Sequence, residues 1–397
     1  MPELLSIQQA LERILAYASP LPVETVPLEH AAGRVLGESA RATVDLPPFP
    51  SSAMDGFAVR AEDTPGELPV AFRVAAGSAP PGPLSAGTAA GIATGGTVPE
   101  GADAVVPIEL VEDHGDRVAF SEPARAGQHV RPRGGDVTAG DVVAGAGVRL
   151  GAVRIGALAA AGISAVRCSR KPRVAVLATG SELRPPGSEL APGQIYESNR
   201  VMLAAALEHA GAEVDVLPVV EDDAAAHRAA LERGLDADVV VTSGGVSVGP
   251  HDLVRRVAAE LGVEEVFWGV AVKPGKPLAF GVRGRTLVFG LPGNPVSSLV
   301  GALVFVRPAL CALEGLAAPE PVYHRGRLSV SLRRNLHRDE FVRARRVPTD
   351  DGILLEAVSG QESHMIVRAA AADALVLVPR GTGEVSAGDE IGYLPLD

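Results

Sequence analysis

The spacing of apolar positions divides the chain into helical and β-rich stretches. Near the start, Ser6 and Gln9 have the spacing of a capping box, and apolar residues then recur every three or four positions, which predicts an amphipathic helix. Residues 149–162 return to helical spacing. We expect these two helices to pack side by side in one discontinuous helical domain, formed by residues 1–42 and 148–170.

Two further stretches consist of short β-rich runs separated by Gly and Pro turns. Residues 43–147 contain three clear runs, and residues 319–397 show alternating apolar and polar positions from Phe341 to Arg345. The pattern predicts a β-rich domain over the first stretch and a C-terminal β domain over the second. The three runs are 70–75, 104–107 and 117–120.

Residues 171–318 alternate apolar β runs with helical patterns, which is typical of a parallel sheet with helices on both faces. We therefore expect a multidomain protein of the α/β plus β class, with this α/β domain at its centre. Ser198 and Asp222 are the expected N-caps of the first two helices. The predicted strands are 174–178, 214–219, 239–242 and 286–289, and the predicted helices are 199–209, 222–233, 252–261 and 296–313.

Composition narrows the classes of function. The 36 Lys and Arg against 48 Asp and Glu give a net charge of −12, so the chain lacks the basic field of a dedicated nucleic-acid binder, although a local anion site is compatible with it. Cys168 and Cys311 match neither a zinc nor a redox spacing and are expected to be small buried apolar residues. There is no signal-peptide pattern, and no apolar run reaches about 18 residues without Gly, Pro or charge. We therefore expect a cytoplasmic protein that associates with neither a membrane nor nucleic acid.

Three Gly-rich turns follow strands of the α/β domain, at residues 178–183, 242–249 and 290–298. Ligands bind at the carboxyl ends of the strands in an open parallel sheet, so these turns are expected to converge. Glycine lets backbone N–H groups approach a phosphate, and a helix N-terminus adds partial positive charge. One such turn alone is more often a tight connection, and none has the Walker or Rossmann spacing, but three together predict a phosphorylated ligand. The turns contain Thr179, Gly180, Ser243, Gly244, Gly245, Pro292, Gly293, Asn294 and Ser297.

A short segment between the last two of these turns carries two lysines in a chain that is poor in lysine. Residues 272–278 read Val-Lys-Pro-Gly-Lys-Pro-Leu. Two ammonium groups on a turn braced by Pro and Gly would neutralise a pyrophosphate or an oxyanion, whereas the alternative is a solvated hairpin tip. The flanking apolar residues predict that the turn emerges from a buried strand pair, which favours a functional role for Lys273 and Lys276.

Acidic residues follow the same strands. Glu182, Asp222 and Asp252 come after the first, second and third strands of the α/β domain. Carboxylates beside a phosphate site are what Mg²⁺ needs, because it takes oxygen ligands and bridges to the phosphate. Asp222 and Asp252 are equally compatible with a role as helix N-caps, whereas Glu182 does not have that alternative.

The β-rich domain contributes three more strings with chemical character. Residues 47–59 contain too many rigid and small residues for a strand and carry Asp55, residues 93–99 form a Gly-rich turn that includes Thr94, and a basic turn ends at Asp136. Composition alone leaves open whether these strings face the α/β domain or are exposed loops.

Seven motifs together resemble, in order and spacing, the molybdopterin molybdenumtransferases, which are the prokaryotic counterparts of the gephyrin C-terminal domain. The resemblance covers nearly the whole chain, and seven ordered motifs are far more specific than any one of them. The motifs are Ser52-Ala-Met-Asp-Gly56, Thr94-Gly-Gly96, Arg133-Gly-Gly-Asp136, Thr179-Gly-Ser-Glu-Leu183, Ser243-Gly-Gly-Val-Ser247, Lys273-Pro-Gly-Lys-Pro277 and Pro292-Gly-Asn-Pro295.

This resemblance implies an elongated homodimer with four domains per subunit, in which the α/β domain binds the pterin and the C-terminal domain is β-barrel-like. It also implies that molybdate is inserted into adenylylated molybdopterin, with Mg²⁺-dependent hydrolysis of the pyrophosphate link, to give molybdenum cofactor and AMP. The chain carries the α/β signature once, whereas gephyrin also carries the adenylylating domain. We therefore expect a separate molybdopterin adenylyltransferase to supply the substrate.

The resemblance also implies roles for the motif residues. It assigns metal binding or water activation to Glu182, Asp222 and Asp252, and binding of phosphate or molybdate to Ser243, Lys273, Lys276 and Ser297. Asp55, Thr94 and Asp136 resemble positions that reach the cleft from the partner subunit. Arg343 and Ser363 resemble positions near the molybdate, with Pro277 beside them.

Three alternatives stay open on the sequence. The related adenylyltransferase shares the α/β domain, but it needs neither of the flanking β domains. A scaffolding role, as in gephyrin, is a second alternative, although the intact set of acids and lysines favours catalysis. The sequence gives no means of choosing between molybdate and tungstate.

Overall fold

The computed structural model describes residues 4–220, 223–245 and 253–396. The first helix is Ile7–Leu15. At its start the Ser6 hydroxyl accepts a hydrogen bond from the Gln9 N–H (3.1 Å), and the Gln9 side chain accepts one from the Ser6 N–H (2.9 Å). The predicted capping box is therefore confirmed.

The first helix packs against the central α/β domain and not against the second predicted helix. Its buried residues lie in the same hydrophobic cluster as the helix Pro295–Leu313. The second helix, Ala152–Ala160, contributes Leu158 to a different cluster. The expectation that the two helices pack side by side is wrong, because helical spacing identifies an apolar face but not the partner that covers it.

The two segments of the discontinuous region are nevertheless joined by strand pairing. The strand Val23–Pro27 runs antiparallel to Ala165–Ser169 over five residue pairs. A 3-10 turn, Leu28–His30, directly follows Val23–Pro27. Cys168 is buried in this core, and Cys311 is buried in the last helix of the central domain, as predicted from the sequence.

The β-rich domain is built on a six-stranded sheet. The three runs predicted from the sequence are all strands, Gly66–Val74, Ala104–Pro107 and Arg117–Phe120. The other strands of this sheet are Gly56–Val59, Ala89–Ile92 and Val111–Asp113. Two short pairs flank it: Ser51–Ser52 with Val130–Arg131, and Ala40–Arg41 with Val142–Ala144. Two further 3-10 turns are Ala61–Asp63 and Ile108–Leu110.

The central domain contains a mixed six-stranded sheet. Its strands, in spatial order, are Glu213–Val216, Arg173–Ala178, Val239–Ser243, Thr286–Leu291, Ala279–Arg283 and Glu264–Trp268. The four predicted strands are the first four, and they run parallel to one another. The last two run antiparallel to each other and lie on either side of the lysine-bearing segment; the sequence analysis predicted a buried strand pair there but gave it no bounds. A small pair, Leu183–Arg184 with Ile195–Tyr196, lies outside this sheet.

Helices cover the sheet at the predicted places. They are Asn199–His209, Ala224–Gly234, Leu253–Glu260 and a last helix whose consecutive parts are Pro295–Gly301, the π-helical Ala302–Val306 and Arg307–Leu313. The N-cap of the helix Ala224–Gly234 is Asp223, whose side chain accepts a hydrogen bond from the Ala226 N–H at 2.8 Å. The expectation of Asp222 as this N-cap is therefore wrong by one residue. Ser198 makes no side-chain cap; the Glu197 carboxylate accepts from the Arg200 N–H instead (2.8 Å).

The last helix of the central domain is also the most apolar. By length and composition Pro295–Leu313 could cross a bilayer, and it is the one such helix among the described residues. However, 83% of its apolar 18-residue stretch is buried inside the protein. Its apolar composition is therefore explained by its position in the core.

The C-terminal region is a closed five-stranded barrel, in agreement with the predicted β-barrel-like domain. The strand Asp339–Thr349 pairs with both Gly352–Ala357 and Ala374–Val378, which closes the sheet on itself. The other two barrel strands are His324–Leu328 and Glu390–Pro395. A short pair, Leu332–Arg333 with Glu384–Val385, and the short helix Ile366–Ala369 complete it.

The lysine-bearing segment connects two domains. On its N-terminal side, Val272–Lys273 pairs in parallel with the barrel strand Asp339–Thr349. On its C-terminal side it continues into Ala279–Arg283 of the central sheet. The strand before this segment, Glu264–Trp268, and the strand after it, Ala279–Arg283, pair antiparallel in the central sheet, so the predicted buried strand pair is confirmed. The pairing of Val272–Lys273 with the barrel was not predicted. We call residues 272–278 the lysine loop.

Asp238 joins the central sheet to the discontinuous domain. Its carboxylate accepts two hydrogen bonds from the Arg170 guanidinium (2.6 and 2.7 Å) and one from the Arg173 N–H (2.8 Å). Burial raises the pKa of the Asp238 carboxyl, but Arg170 and the Arg173 N–H lower it further, so the pKa lies below its ordinary value. The carboxylate therefore stabilises the fold above its unfolded pKa of about 3.9, and this contribution is lost as the pH falls towards the folded pKa.

We expect Asp238→Asn to lower the free energy of unfolding by about 2 kcal/mol at pH 7, because the charged hydrogen bonds are weakened. The difference from the parent protein should shrink as the pH falls below about 4. Urea denaturation at pH 7, 4 and 3 measures both effects. Asp236→Asn is the matched control, since Asp236 is exposed and its side chain bonds to no described residue. A loss that is the same at all three pH values would contradict the prediction.

Candidate active site

The three Gly-rich turns meet at the carboxyl edge of the central sheet, as predicted. The Thr179 N–H donates to the Ser243 carbonyl (3.2 Å), and the Gly244 N–H donates to the Leu291 carbonyl (3.0 Å). A Cβ placed on Gly293 would lie 3.7 Å from the Gly244 Cα. The first, third and last turns of the sheet are therefore in direct contact.

Two glycines of the third turn cannot be replaced without strain. Gly244 has φ +95°, and a Cβ there would lie 2.9 Å from the Thr179 carbonyl oxygen and 3.0 Å from its hydroxyl. Gly245 has φ +67°, and a Cβ there would lie 2.5 Å from a methyl group of Val254. The close contact between the first and third turns therefore depends on the absence of a side chain.

Ser243 holds the third and last turns together. Its hydroxyl is buried, accepts a hydrogen bond from the Asn199 amide (2.8 Å) and lies 3.2 Å from the Ser298 hydroxyl. The same Asn199 amide donates to the Gly293 carbonyl (2.7 Å), and Ser298 donates to the Pro292 carbonyl. Asn199 and Ser298 were missed by the sequence analysis. The spacing carries no signal for Asn199, since its contacts are with residues 44 and 94 positions away.

The last turn leads into a helix N-terminus that the barrel covers. Asn294 precedes Pro295 at this N-terminus and makes no cap with its own side chain; its amide donates to the Ser363 hydroxyl (2.9 Å). The Val296 N–H donates to the Ser363 carbonyl (3.1 Å). Ser363 of the barrel is thus brought to the α/β turns.

Arg343 lies behind Ser363. Its side chain is 1% exposed and donates to the carbonyls of Gly360 (2.9 Å) and Glu362 (3.3 Å) and to the Gln361 side chain (3.3 Å). Burial lowers the pKa of the Arg343 guanidinium, and Glu362 opposes this only in part. Through these hydrogen bonds Arg343 stabilises the loop that carries Ser363. Gln361, which the sequence analysis missed, is its main side-chain partner.

The two lysines of the lysine loop differ in their surroundings. The Lys273 ammonium forms an ion pair with the Glu340 carboxylate (2.8 Å), whereas the half-buried Lys276 makes no ion pair with any described residue. The loop passes close to the last helix, because a Cβ on Gly275 would lie 3.6 Å from the Ser297 carbonyl. Ser297 itself is buried, and Pro277 is half-buried beside Lys276. Lys276 is therefore the cation available to a ligand.

The acidic set is described only in part. Glu182 is exposed and makes no ion pair with a described residue; its carboxylate lies over Gly180, where a Cβ would approach it to 2.6 Å. Asp222 and Asp252 lie outside the described residues. Within residues 4–220, 223–245 and 253–396 there is no group of three His, Cys, Asp or Glu that could hold a metal ion.

The β-rich domain presents a second cluster. The Asp55 carboxylate accepts a hydrogen bond from the Thr94 N–H (2.6 Å), and the Ser52 carbonyl accepts one from the Gly95 N–H (2.8 Å). Asp136 lies on a neighbouring turn and is exposed. In the described part of the chain, no hydrogen bond connects this cluster to the turns of the central sheet.

Family profiles match three consecutive parts of the chain. The MoeA N-terminal region (domains I and II) matches residues 5–162, a probable molybdopterin-binding domain matches residues 175–312, and the MoeA C-terminal region (domain IV) matches residues 325–396. These ranges include all the turns described above.

Whole-chain relatives agree with these profiles. The molybdopterin molybdenumtransferase 2 of Mycobacterium tuberculosis is 40% identical over 92% of this chain and 93% of its own length. The molybdopterin molybdenumtransferase of Haemophilus influenzae is 35% identical over 99% of both chains. A crystal structure of the molybdopterin biosynthesis MoeA protein from Pyrococcus horikoshii superposes with a TM-score of 0.86 at 30% identity, and covers 99% of this chain and 100% of that one.

Proposed function

This chain belongs to the molybdopterin molybdenumtransferase family, whose members insert molybdenum into molybdopterin, and on that premise we propose that its substrate is adenylylated molybdopterin and that the reaction releases AMP. The observation that carries the proposal is the contact of three Gly-rich turns beside Lys276, which makes no ion pair with any described residue. Matches to the N-terminal and C-terminal regions as well as the pterin-binding domain favour the transferase over a single-domain adenylyltransferase.

The pyrophosphate link of the substrate would lie across the turns. The Gly244 N–H already donates to Leu291, but the Gly245 N–H can approach a phosphate oxygen without obstruction from a side chain. Hydrolysis places the oxygen of water on one phosphorus and leaves the bridging oxygen on the other phosphate, while the two protons of water pass to the phosphates or to solvent. Negative charge grows on oxygen as the P–O bond breaks, and the Lys276 ammonium stabilises it.

Molybdate would enter at the contact between the turns and the barrel. Lys273, Ser297 and Ser363 lie on the segments that meet there. Arg343 would act by holding the Ser363 loop in place, because its guanidinium bonds are already directed to that loop.

Carboxylate oxygens at this edge fit Mg²⁺ in their chemistry. Glu182 is exposed, and none of the described cations neutralises it. Together with Asp222 and Asp252, it would hold the ion. When bound, Mg²⁺ supplies charge neutralisation on the phosphate oxygens.

We further propose a homodimer in which the cluster of Asp55, Thr94 and Asp136 serves the active site of the partner subunit. An unpartnered helix supports this. In Ala152–Ala160, every residue except Arg154 is apolar or glycine, yet only Leu158 is buried. Such a face is covered in a stable protein by a second surface, and the same helix on a second copy provides a self-complementary one.

Val153→Glu is expected to weaken the dimer by about two orders of magnitude, because Val153 is 88% exposed on this face and each dimer would carry two buried charges. Analytical ultracentrifugation over a range of concentrations measures the dissociation constant. Val330→Glu is the control, since Val330 is an exposed valine of the barrel domain. An unchanged dissociation constant for Val153→Glu would rule out this helix as the interface.

A separate adenylyltransferase would supply the substrate, and the cytoplasm is the proposed compartment.

Incubation of the purified protein with adenylylated molybdopterin, molybdate and Mg²⁺ tests the proposed reaction. We expect AMP and molybdenum cofactor to appear in equal amounts, and AMP release to depend on molybdate. AMP release that molybdate does not stimulate, from protein with a native circular dichroism spectrum, would overturn the proposal. Replacement of molybdate by tungstate in the same assay determines which oxyanion is preferred.

A further inference from the structure

A cavity of about 500 Å³ lies at the opposite edge of the central sheet from the Gly-rich turns. Its wall includes Lys171, which precedes the strand Arg173–Ala178, and Gly211, which follows the helix Asn199–His209. Both positions are at the amino ends of the parallel strands. Other parts of the wall come from the discontinuous domain, from the linker of residues 316–322 and from the barrel. The cavity is therefore formed where three domains meet.

One side of the cavity is a buried ion pair. The Arg149 guanidinium donates to the Glu314 carboxylate (2.6 Å) and to the Gly33 carbonyl (2.7 Å), and Glu314 is 2% exposed. A Cβ on Gly211 would lie 3.1 Å from the Glu314 carboxylate, so the glycine leaves room beside the pair. The guanidinium of Arg34, which also lines the cavity, forms an ion pair with the Glu24 carboxylate (2.5 Å).

Two further cations of the wall have no carboxylate partner among the described residues. Lys171 and Arg307 line the cavity and make no ion pair with any described residue. Glu320 is the one unpaired carboxylate among the described residues of this wall, and His209 and His324 are also part of it. The wall thus has more available positive than negative charge, in a protein whose net charge is −12.

We propose that this cavity binds a small phosphorylated metabolite at a site separate from the Gly-rich turns. Lys171 and Arg307 would hold the phosphate. The volume exceeds what a bare phosphate fills, and apolar side chains such as Leu303 and Leu316 line the rest, so the ligand has an organic body. The proposal goes beyond the transferase reaction and does not depend on it.

Binding of 5′-AMP, as a phosphate monoester with a ring body, tests the assignment. The measurement is isothermal titration calorimetry on protein that carries Lys273→Met and Lys276→Met, so that anion binding at the Gly-rich turns is weakened. We expect saturable binding, at least tenfold weaker when Lys171→Met and Arg307→Met are added. Arg283→Met, which removes an exposed cation of the central sheet, should leave affinity unchanged. Equal affinity with and without Lys171→Met and Arg307→Met would overturn the proposal.

Cys311 reports whether the ligand enters this cavity. It lines the wall, with its Sγ 3.9 Å from an Arg149 nitrogen, and Cys168→Ser makes it the only thiol of the chain. Alkylation is carried out at about pH 9, because burial raises the pKa of the Cys311 thiol and only the thiolate reacts. Mass spectrometry measures its rate. Saturating AMP should slow the reaction at least fivefold, and inorganic phosphate should protect only at much higher concentration. An unchanged rate with AMP would place the ligand elsewhere, and equal potency of phosphate and AMP would contradict the organic body.

Discussion

Replacing Lys276 by methionine is expected to lower kcat/KM for AMP release by about 10²- to 10³-fold, the usual cost of removing one group that stabilises developing charge on oxygen. The chain has 33 arginines but only three lysines, and two of the three lie in the lysine loop. Lys276 makes no ion pair with a described residue, so its charge is available to the substrate. Methionine keeps the length and most of the apolar contacts of the side chain. Steady-state assays of AMP release measure the effect, with circular dichroism as the test of folding.

Two variants sharpen this result. Lys273→Met should have a smaller effect, because the Glu340 carboxylate already neutralises much of the Lys273 charge. Arg283→Met removes an exposed cation from the strand that follows the lysine loop and should leave kcat/KM unchanged. A loss of less than threefold in Lys276→Met, or an equal loss in Arg283→Met, would contradict the assigned role.

The regular elements of the central domain could be predicted because each carries its own local signal. The helix Asn199–His209 has the predicted bounds, and the strand Val239–Ser243 differs from its prediction by one residue. Apolar β runs flanked by Gly and polar residues specify such elements without reference to the rest of the chain. Convergence of the three turns was also predictable, since parallel strands place their carboxyl ends at one edge.

The partners of these elements were not predictable from spacing. The first helix has a clear apolar face, but only the tertiary structure shows that the central core covers it. The strands on either side of the lysine loop pair with each other in the central sheet, but the pairing of Val272–Lys273 with the barrel has no signal in the spacing. Period and composition identify a buried strand but not its neighbour, which is set by contacts between residues far apart in the chain.

The candidate site was predictable to a similar degree. Motif residues such as Ser243 and Gly244 were identified because three Gly-rich turns follow parallel strands, whereas one such turn alone is more often a tight connection. Asn199, which bonds to Ser243, and Gln361, which bonds to Arg343, were missed because a single amide within a helix or loop carries no sequence signal. Arg343 was singled out by resemblance, and the structure shows the reason for its position, namely a set of carbonyls in the loop around Ser363.

Gly244→Ala is expected to destabilise the protein by about 3 kcal/mol and to lower the rate of AMP release by about 10²-fold or more. Alanine at φ +95° carries the cost of the left-handed region, and its Cβ would also lie 2.9 Å from the Thr179 carbonyl oxygen, which is backbone and cannot rotate away. The first and third turns must then separate, which displaces the N–H groups proposed to hold the pyrophosphate. Urea denaturation and AMP-release assays measure the two effects.

Gly187→Ala separates the effect of the clash with Thr179 from the cost of the left-handed backbone conformation. Gly187 has φ +88°, close to that of Gly244, but nothing lies within 4 Å of a Cβ built there. This variant should lose only about 1 kcal/mol of stability, which is the cost of the backbone conformation, and should keep its activity. If both variants lost the same stability and activity, the close approach of the first and third turns would not be the reason for glycine at position 244. If Gly244→Ala alone loses activity, the contact between the turns is what places the phosphate-binding backbone.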